Sequence, residues 1–309
     1  MALFFFARFI KFITTFVFLI LQSLYMSFVL YNKLSGLATI TFNRPDKYNS
    51  FVREMALEVQ KVLDDASADP NIRCILMTGS GKAFSAGQDL VEATDPEGPE
   101  MTKIVQEHYN PIIIRIREME KPVIAAVNGV AAGAGANIAL ACDIVVATQS
   151  ANFIQAFSKI GLIPDSGGTF FLPRLIGWQR ASAIMMTGQK ISAEEACQMG
   201  MIYKVYPDDL FSEEVRILTE MMVNLPTRGL GLTKKALNVS AGNDLYTQLA
   251  IEDTLQTVSY THLRAHETVL DLVCRLLLEK KNTTYSPQTQ RYLSHTIIHI
   301  SRISETQKS

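Results

Sequence analysis

The stretch "KPVIAAVNGVAAGAGANIALACDIV", residues 121–145, decides the fold. Its first part, "PVIAAVNG" (122–129), is an apolar run closed by an Asn-Gly pair and reads as a strand. A helix of small residues follows from "AAGAGANIALACD" (131–143), and "IVVATQS" (144–150) is a second, β-branched strand. Working outward, the same alternation recurs. Upstream, "SFVLYNKLSGLATITFNRP" (27–45) reads as a hairpin turning at Ser35-Gly36, "VREMALEVQKVLDDA" (52–66) has helical apolar spacing, and "CILMTGS" (74–80) is a buried strand. The run "KIVQEHYNPIIIRIREM" (103–119) is helical with a break expected before Pro111. Downstream the pattern is mostly helix: "SAEEACQMG" (192–200) opens with a capping box, Ser192 with Glu195, followed by "LFSEEVRILTEMMVNL" (210–225) and "TKKALNVS" (233–240). Repeated strand-helix units before a helical end indicate an α/β fold with a helical C-terminal region.

The chain has 309 residues, 48% of them hydrophobic, with 29 basic against 30 acidic side chains. A large core without charge bias argues against nucleic acid or acidic surfaces as the main partner. Four cysteines with no CxxC pair indicate neither a zinc site nor a disulfide framework, so a reducing, cytoplasmic setting is expected. Of five histidines only His108 precedes position 260, which disfavours His-ligated metals and weakens a Ser-His-Asp triad. No metal is expected. The glycines of "TGSGKAFSAG" (78–87) do not form a P-loop, and "GVAAGAGAN" (129–137) does not fit GxGxxG. Such clusters either pack helix on sheet or leave backbone N–H groups open to a ligand, and both readings stand at this point.

The two ends differ from the middle. Charges in residues 1–31 occur only at Arg8 and Lys11, and the 20 residues from Phe12 to Tyr31 carry none, enough for a membrane-spanning helix. One reading is a membrane anchor oriented by Arg8 and Lys11. The other is an apolar extension, 1–25, upstream of a start at Met26, because Phe28 to Tyr31 cannot serve both a membrane helix and the hairpin. At the far end, "VSYTHLRAHET" (258–268) matches a reading frame of a transposase sequencing adapter, and "LVCRLLLEKK" (272–281) matches the primer tail behind a sample index. The native chain is therefore expected to end near Thr257, with 258–309 a non-native tail. On that reading His262 and His266 are no metal ligands, and the polar end from Asn282 is expected to be disordered. One domain over 26–257 remains.

Four stretches together, "FNRPDKYNSF" (42–51), "GKAFSAGQDL" (81–90), residues 121–145 and "FSKIGLIPDSGGTFFLPRLIG" (157–177), resemble the enoyl-CoA hydratase/isomerase, or crotonase, superfamily in order and spacing. The branch they resemble is that of phenylacetate-pathway isomerases, which convert 2-(1,2-epoxy-1,2-dihydrophenyl)acetyl-CoA to its oxepin and can shift double bonds in enoyl-CoA. The resemblance implies a crotonase-like spiral of ββα turns, assembly as a homotrimer or a dimer of trimers, and an acyl-CoA thioester substrate. Coenzyme A then belongs to the substrate, and no separate cofactor is expected. By the same resemblance, an oxyanion hole of two backbone N–H groups maps to Ala86 and Ala134. Coenzyme A is expected along Lys47, Tyr48 and the turn Ser85, Gly87, Gln88, Asp89 and Leu90, with Gly133 and Pro164 as further substrate contacts.

Departures from the family pattern bear on the reaction. Where the hydratases carry two glutamates, this sequence has Asn137 and Phe157, neither of which is a useful base. Asp165, in "KIGLIPDSGG" (159–168), stands where the isomerase branch carries its acid. The implied activity is an isomerase in which Asp165 moves a proton on a thioester dienolate. The alternative role for Asp165 is to cap a helix starting near Gly167. For the whole chain, the alternatives are a weak hydratase or a non-catalytic binding subunit. His108 is expected at the surface or in a pocket wall, and Arg174 as a structural anchor.

Overall fold

The computed structural model describes residues 27–266, with side chains through residue 261. Ser35 and Gly36 both take left-handed backbone angles, φ +49° and +84°, as a tight two-residue hairpin requires. They join β1 (Val29–Leu34) to β2 (Leu37–Phe42), antiparallel, with Leu34 opposite Leu37. Every later strand of this sheet adds in parallel: β3 (Cys74–Gly79), β5 (Val123–Val127), β7 (Ile144–Thr148) and β10 (Lys204–Tyr206). The order is β1-β2-β3-β5-β7-β10. Between them fall four three-residue strands, β4 (Ala83–Ser85), β6 (Val130–Ala132), β8 (Asn152–Ile154) and β9 (Lys190–Ser192), which form a second sheet, β4-β6-β8-β9. Each circuit of the chain thus lays one long strand in the first sheet and one short strand in the second: β3 then β4, β5 then β6, β7 then β8. Helices at Asn110–Glu118 and Ala134–Ala141 return the chain for the next circuit. This is the expected spiral of ββα turns.

Strands buried on both faces explain the continuous apolar runs. On one side of the first sheet Ile75, Met77, Val123, Ala125, Val145 and Ala147 pack with Met55, Val59 and Leu63 of the helix Arg53–Ala68. On the other, Cys74, Leu76, Ile124, Ala126 and Val146 meet Phe211, Val215, Leu218 and Met222 of the helix Phe211–Asn224. The capping box forms as expected, Ser192 Oγ accepting from the Glu195 N–H while Glu195 accepts from the Ser192 N–H. Pro111 does not break its helix. It sits in the first turn of Asn110–Glu118, and the preceding turn, Ile104–Tyr109, widens to a π-helix.

By contact density the chain divides into residues 1–248 and 249–309. The second unit is described over 249–266, where the helix Leu245–His266 continues through part of the adapter-like stretch. The apolar extension 1–25, the start at Met26 and the tail beyond 266 lie outside the described residues. Among the described residues, no helix is long and apolar enough to cross a membrane.

Within the first unit, the helix Thr227–Ser240 is held by an ion cluster around the buried Lys234. Lys234, 5% exposed at its side chain, meets Asp143 at 2.8 Å, and Asp143 also holds Arg117 at 3.2 Å. The Lys234 ammonium also donates to the Lys121 carbonyl. Removing Asp143 strands the buried Lys234 ammonium. Asp143→Ala is expected to cost about 3–5 kcal/mol, read as a lowered midpoint in urea unfolding.

Candidate active site

β4 and β6 pair in parallel, Ala83 opposite Val130 and Ser85 opposite Ala131. The turns that leave them therefore emerge side by side. The first turn passes Gly87 at φ +86°; a Cβ there would lie 2.8 Å from the Ala132 carbonyl oxygen and 3.2 Å from the Ala134 nitrogen. Only glycine allows this approach, because the angle and the space both exclude a side chain. On its other side the turn is clamped by Phe51, whose N–H donates to the Gly87 carbonyl at 2.7 Å and whose carbonyl accepts from the Asp89 N–H at 2.9 Å. A residue flanked by both bonds of a parallel bridge directs its own N–H away from the partner. That residue is Gln88. Across from it, Ala134 begins the helix Ala134–Ala141, where the first N–H groups have no helical acceptor. Among the described residues, neither the Gln88 nor the Ala134 N–H has a partner.

Ala86 does not fit its expected part. Its N–H donates to the Tyr48 carbonyl at 2.9 Å, so it is already satisfied and turned away from Ala134. Gln88, two residues on, has a free N–H instead. Ser85 and Asp89 also differ from expectation in their side chains. Ser85 is fully buried, its Oγ donating to the Asn49 carbonyl and accepting from the Gly87 N–H. Asp89 accepts from Arg44 at 2.6 Å and from the Val91 N–H. Burial pushes its carboxyl up, but Arg44 and the Val91 N–H outweigh that and hold it below the ordinary range. Both side chains brace the turn from inside. Lys47, Tyr48 and Leu90 are exposed along it, with Tyr48 joined to it through Ala86. Gly133 caps the helix Ala134–Ala141, and a Cβ there would lie 3.8 Å from the ring of Phe157.

Asp165 and Pro164 are half-buried. The helix Gly168–Ile176 is capped by Gly167 in a left-handed conformation, with no side-chain cap, so the capping role does not apply to Asp165. Its Oδ1 accepts from Ser166 Oγ at 2.8 Å, and its main-chain carbonyl accepts from Asn137 Nδ2 at 2.9 Å and from the Gly168 N–H. Burial raises its pKa above the ordinary carboxylate value, the Ser166 hydroxyl offsetting this only in part. Among the described residues, no cation is paired with it. Asn137 is itself immobilised, its Oδ1 accepting from Gln155 Nε2 at 2.8 Å. The amide lies so close to Gly168 that a Cβ there would fall 2.4 Å from Nδ2. The helix Ala134–Ala141 thus presents a free N–H at one end and, one turn on, holds the backbone of the acid.

His108, expected at the surface or in a pocket wall, is fully buried, and neither ring nitrogen has a hydrogen-bond partner. Burial lowers its pKa. Arg174 stays on its own helix, bonded to the Phe170 carbonyl and stacked 3.7 Å over the Phe170 ring. Sequence reasoning missed Tyr109, Glu92 and the side chain of Gln88, which form one hydrogen-bonded chain behind the turn. A tyrosine before Asn-Pro in an apolar helix carries no signal that its hydroxyl is committed.

A model of the enoyl-CoA hydratase/isomerase family matches residues 32–283. The chain belongs to the enoyl-CoA hydratase/isomerase family. It is 45% identical over 237 residues to the 1,2-epoxyphenylacetyl-CoA isomerase of Escherichia coli K12, covering 76% of this chain and 90% of that one. Over 226 residues it is 43% identical to a "Probable enoyl-CoA hydratase" of Rhodobacter capsulatus, covering 73% and 87%. The solved enoyl-CoA hydratase of Bacillus anthracis superposes with a TM-score of 0.73 at 30% identity, covering 84% of this chain and 98% of that one. The candidate site of this hydratase/isomerase family member contains open backbone donors at Gln88 and Ala134 and one half-buried acid.

If the two donors act together, moving Gly87 must cost activity without unfolding the chain. Gly87→Ala is expected to lower kcat/KM by about 10²-fold, the size of a 1 Å misplacement, with the circular dichroism spectrum retained.

Proposed function

We propose that the chain is an acyl-CoA isomerase that moves one proton with one carboxylate. The observation that carries this is Asp165: a carboxylate with no paired cation among the described residues, held by Ser166 and by Asn137; the resemblance adds that Asn137 and Phe157 stand where the hydratases carry glutamates. The thioester carbonyl accepts from the N–H groups of Ala134 and Gln88, and Lys47, Tyr48 and Leu90 contact coenzyme A. Asp165 removes a proton from the carbon next to the carbonyl. The electron pair of that C–H bond becomes the new double bond of a dienolate, whose negative oxygen the two N–H groups stabilise, each by about 3 kcal/mol. The same carboxyl then returns the proton to the far carbon, so the double bond has shifted and Asp165 is again ionised. No water is consumed. A raised pKa suits this work, since a more basic carboxylate takes a proton from carbon more readily.

The acyl group we favour is 2-(1,2-epoxy-1,2-dihydrophenyl)acetyl, supported by the 45% identity to the Escherichia coli isomerase; the ring C–C bond bridged by the epoxide oxygen breaks, its electron pair enters the double bonds of the seven-membered oxepin, and the proton moves as above. An enoyl-CoA double-bond isomerase is the same chemistry on a simpler chain. Hydration is the second reading, favoured by the 43% identity to the Rhodobacter capsulatus protein. Turnover of an enoyl-CoA in heavy-oxygen water separates them: the isomerase leaves no label in the product, a hydratase incorporates it. The assembly proposed is a homotrimer or a pair of trimers, and sedimentation showing a monomer would refute it.

Asp165→Asn keeps an acceptor for Ser166 and removes only the base. Activity is expected to fall by ~10²–10⁴-fold. For the native protein, the rate should rise with pH through a value above the ordinary carboxylate pKa of about 4, because burial raises Asp165. Stability should respond with the opposite sign. A carboxyl whose folded pKa is raised destabilises the fold when ionised, so at neutral pH Asp165→Asn should melt at or above the native temperature. That gain should vanish as pH falls below the unfolded value. An Asp165→Asn protein with near-native turnover overturns the assignment.

A further inference from the structure

Tyr109 is fully buried, yet it carries a hydroxyl that a phenylalanine would spare. Its O–H donates to Gln88 Oε1 at 2.9 Å. Gln88 Nε2 in turn donates to Glu92 Oε2 at 2.6 Å, and Glu92 Oε1 accepts from the Arg53 N–H at 2.9 Å, at the start of the helix Arg53–Ala68. Both ends of the Gln88 amide are therefore held. Meanwhile, the Tyr109 ring lies 5.8 Å from that of Phe51, the residue whose backbone clamps the chain on either side of Gln88.

From this we infer that Tyr109 is a positioning residue: by fixing the Gln88 side chain it aims the Gln88 N–H at the thioester oxygen. The inference rests on the isomerase reading above and adds to it the residue that sets the second oxyanion donor. An amide anchored at both ends leaves the backbone at its own residue little freedom, and a preset donor needs no reorganisation as charge develops on the oxygen. Tyr109 closes the π-helical turn Ile104–Tyr109, and π-turns recur at functional sites. Burial, with the negative charges of Asp165, Glu92 and Asp89, keeps the phenol protonated far above its ordinary pKa. It therefore remains a hydrogen-bond donor to Gln88 throughout the working pH range.

Tyr109→Phe keeps the ring and its packing against Phe51 and deletes the hydroxyl alone. On a 3-enoyl-CoA, kcat is expected to fall about five- to tenfold, the equivalent of one neutral hydrogen bond. KM should change little, and the acid limb of the pH–rate profile should stay in place. Gln88→Met keeps the backbone N–H and loses both side-chain bonds, so it should lower kcat at least as far. The double variant should then be no worse than Gln88→Met alone, because the two act through one link. A native kcat in folded Tyr109→Phe overturns the inference, as do independent, multiplying losses in the double variant. Should Tyr109→Phe not fold, a native kcat in Gln88→Met overturns it equally. Near-native turnover in Asp165→Asn defeats the isomerase reading; losses there with none at Tyr109 or Gln88 defeat the positioning role alone.

Discussion

The backbone at Gly87 runs against the backbone of Ala132 and Ala134 more closely than a methyl group would permit. This contact joins the turns after the first two short strands of the second sheet, and it brings the turn that carries Gln88 against the start of the helix Ala134–Ala141. Its supports are all internal. Arg44 and Asp89 pair beneath the turn, Ser85 bridges it to Asn49, and Phe51 clamps it by two backbone bonds. Buried polar groups that are fully paired in this way specify one backbone arrangement, because any alternative leaves some of them unsatisfied.

The acid side is built by the opposite means. Asp165 receives one hydroxyl and no cation, in a setting that raises its pKa. A carboxylate so placed costs stability, and a paired one would be more comfortable and less basic. Asn137 links the two sides. It belongs to the helix that starts with the Ala134 donor, and its amide holds the main chain of Asp165. The start of that helix and the main chain of Asp165 are thus tied by one amide. A glutamate at 137 would have no N–H to offer the Asp165 carbonyl, so this brace requires the amide.

Much of the fold was legible along the chain. The hairpin announced itself through Ser35-Gly36, the long strands through apolar runs, and the helix at Ala193–Gln198 through its capping box. The second sheet was not legible. Its strands are three residues long, too short for a period, and they are defined by pairing across the spiral. The site divides in the same way. Its turns and its acid could be located in the motifs, but the donor of the first turn could not: Ala86 and Gln88 are both small steps from Gly87, and which N–H is spent on Tyr48 depends on how the Pro45–Lys47 turn packs. His108 and Tyr109 were misplaced or passed over for a related reason. In a widened helical turn, burial no longer follows the 3.6-residue period.

Residue types and their spacing were thus enough to establish membership in the hydratase/isomerase family and the ββα circuit. These are matters of local pattern and chemical identity, carried by each side chain wherever it lies. The choice of Gln88 over Ala86, the release of Asp165 from capping, and the buried link from Tyr109 to Glu92 arose only once strands distant in sequence had paired. A backbone N–H has no identity of its own in a sequence. Whether it is spent on a carbonyl or left open to a substrate is settled by its neighbours in space.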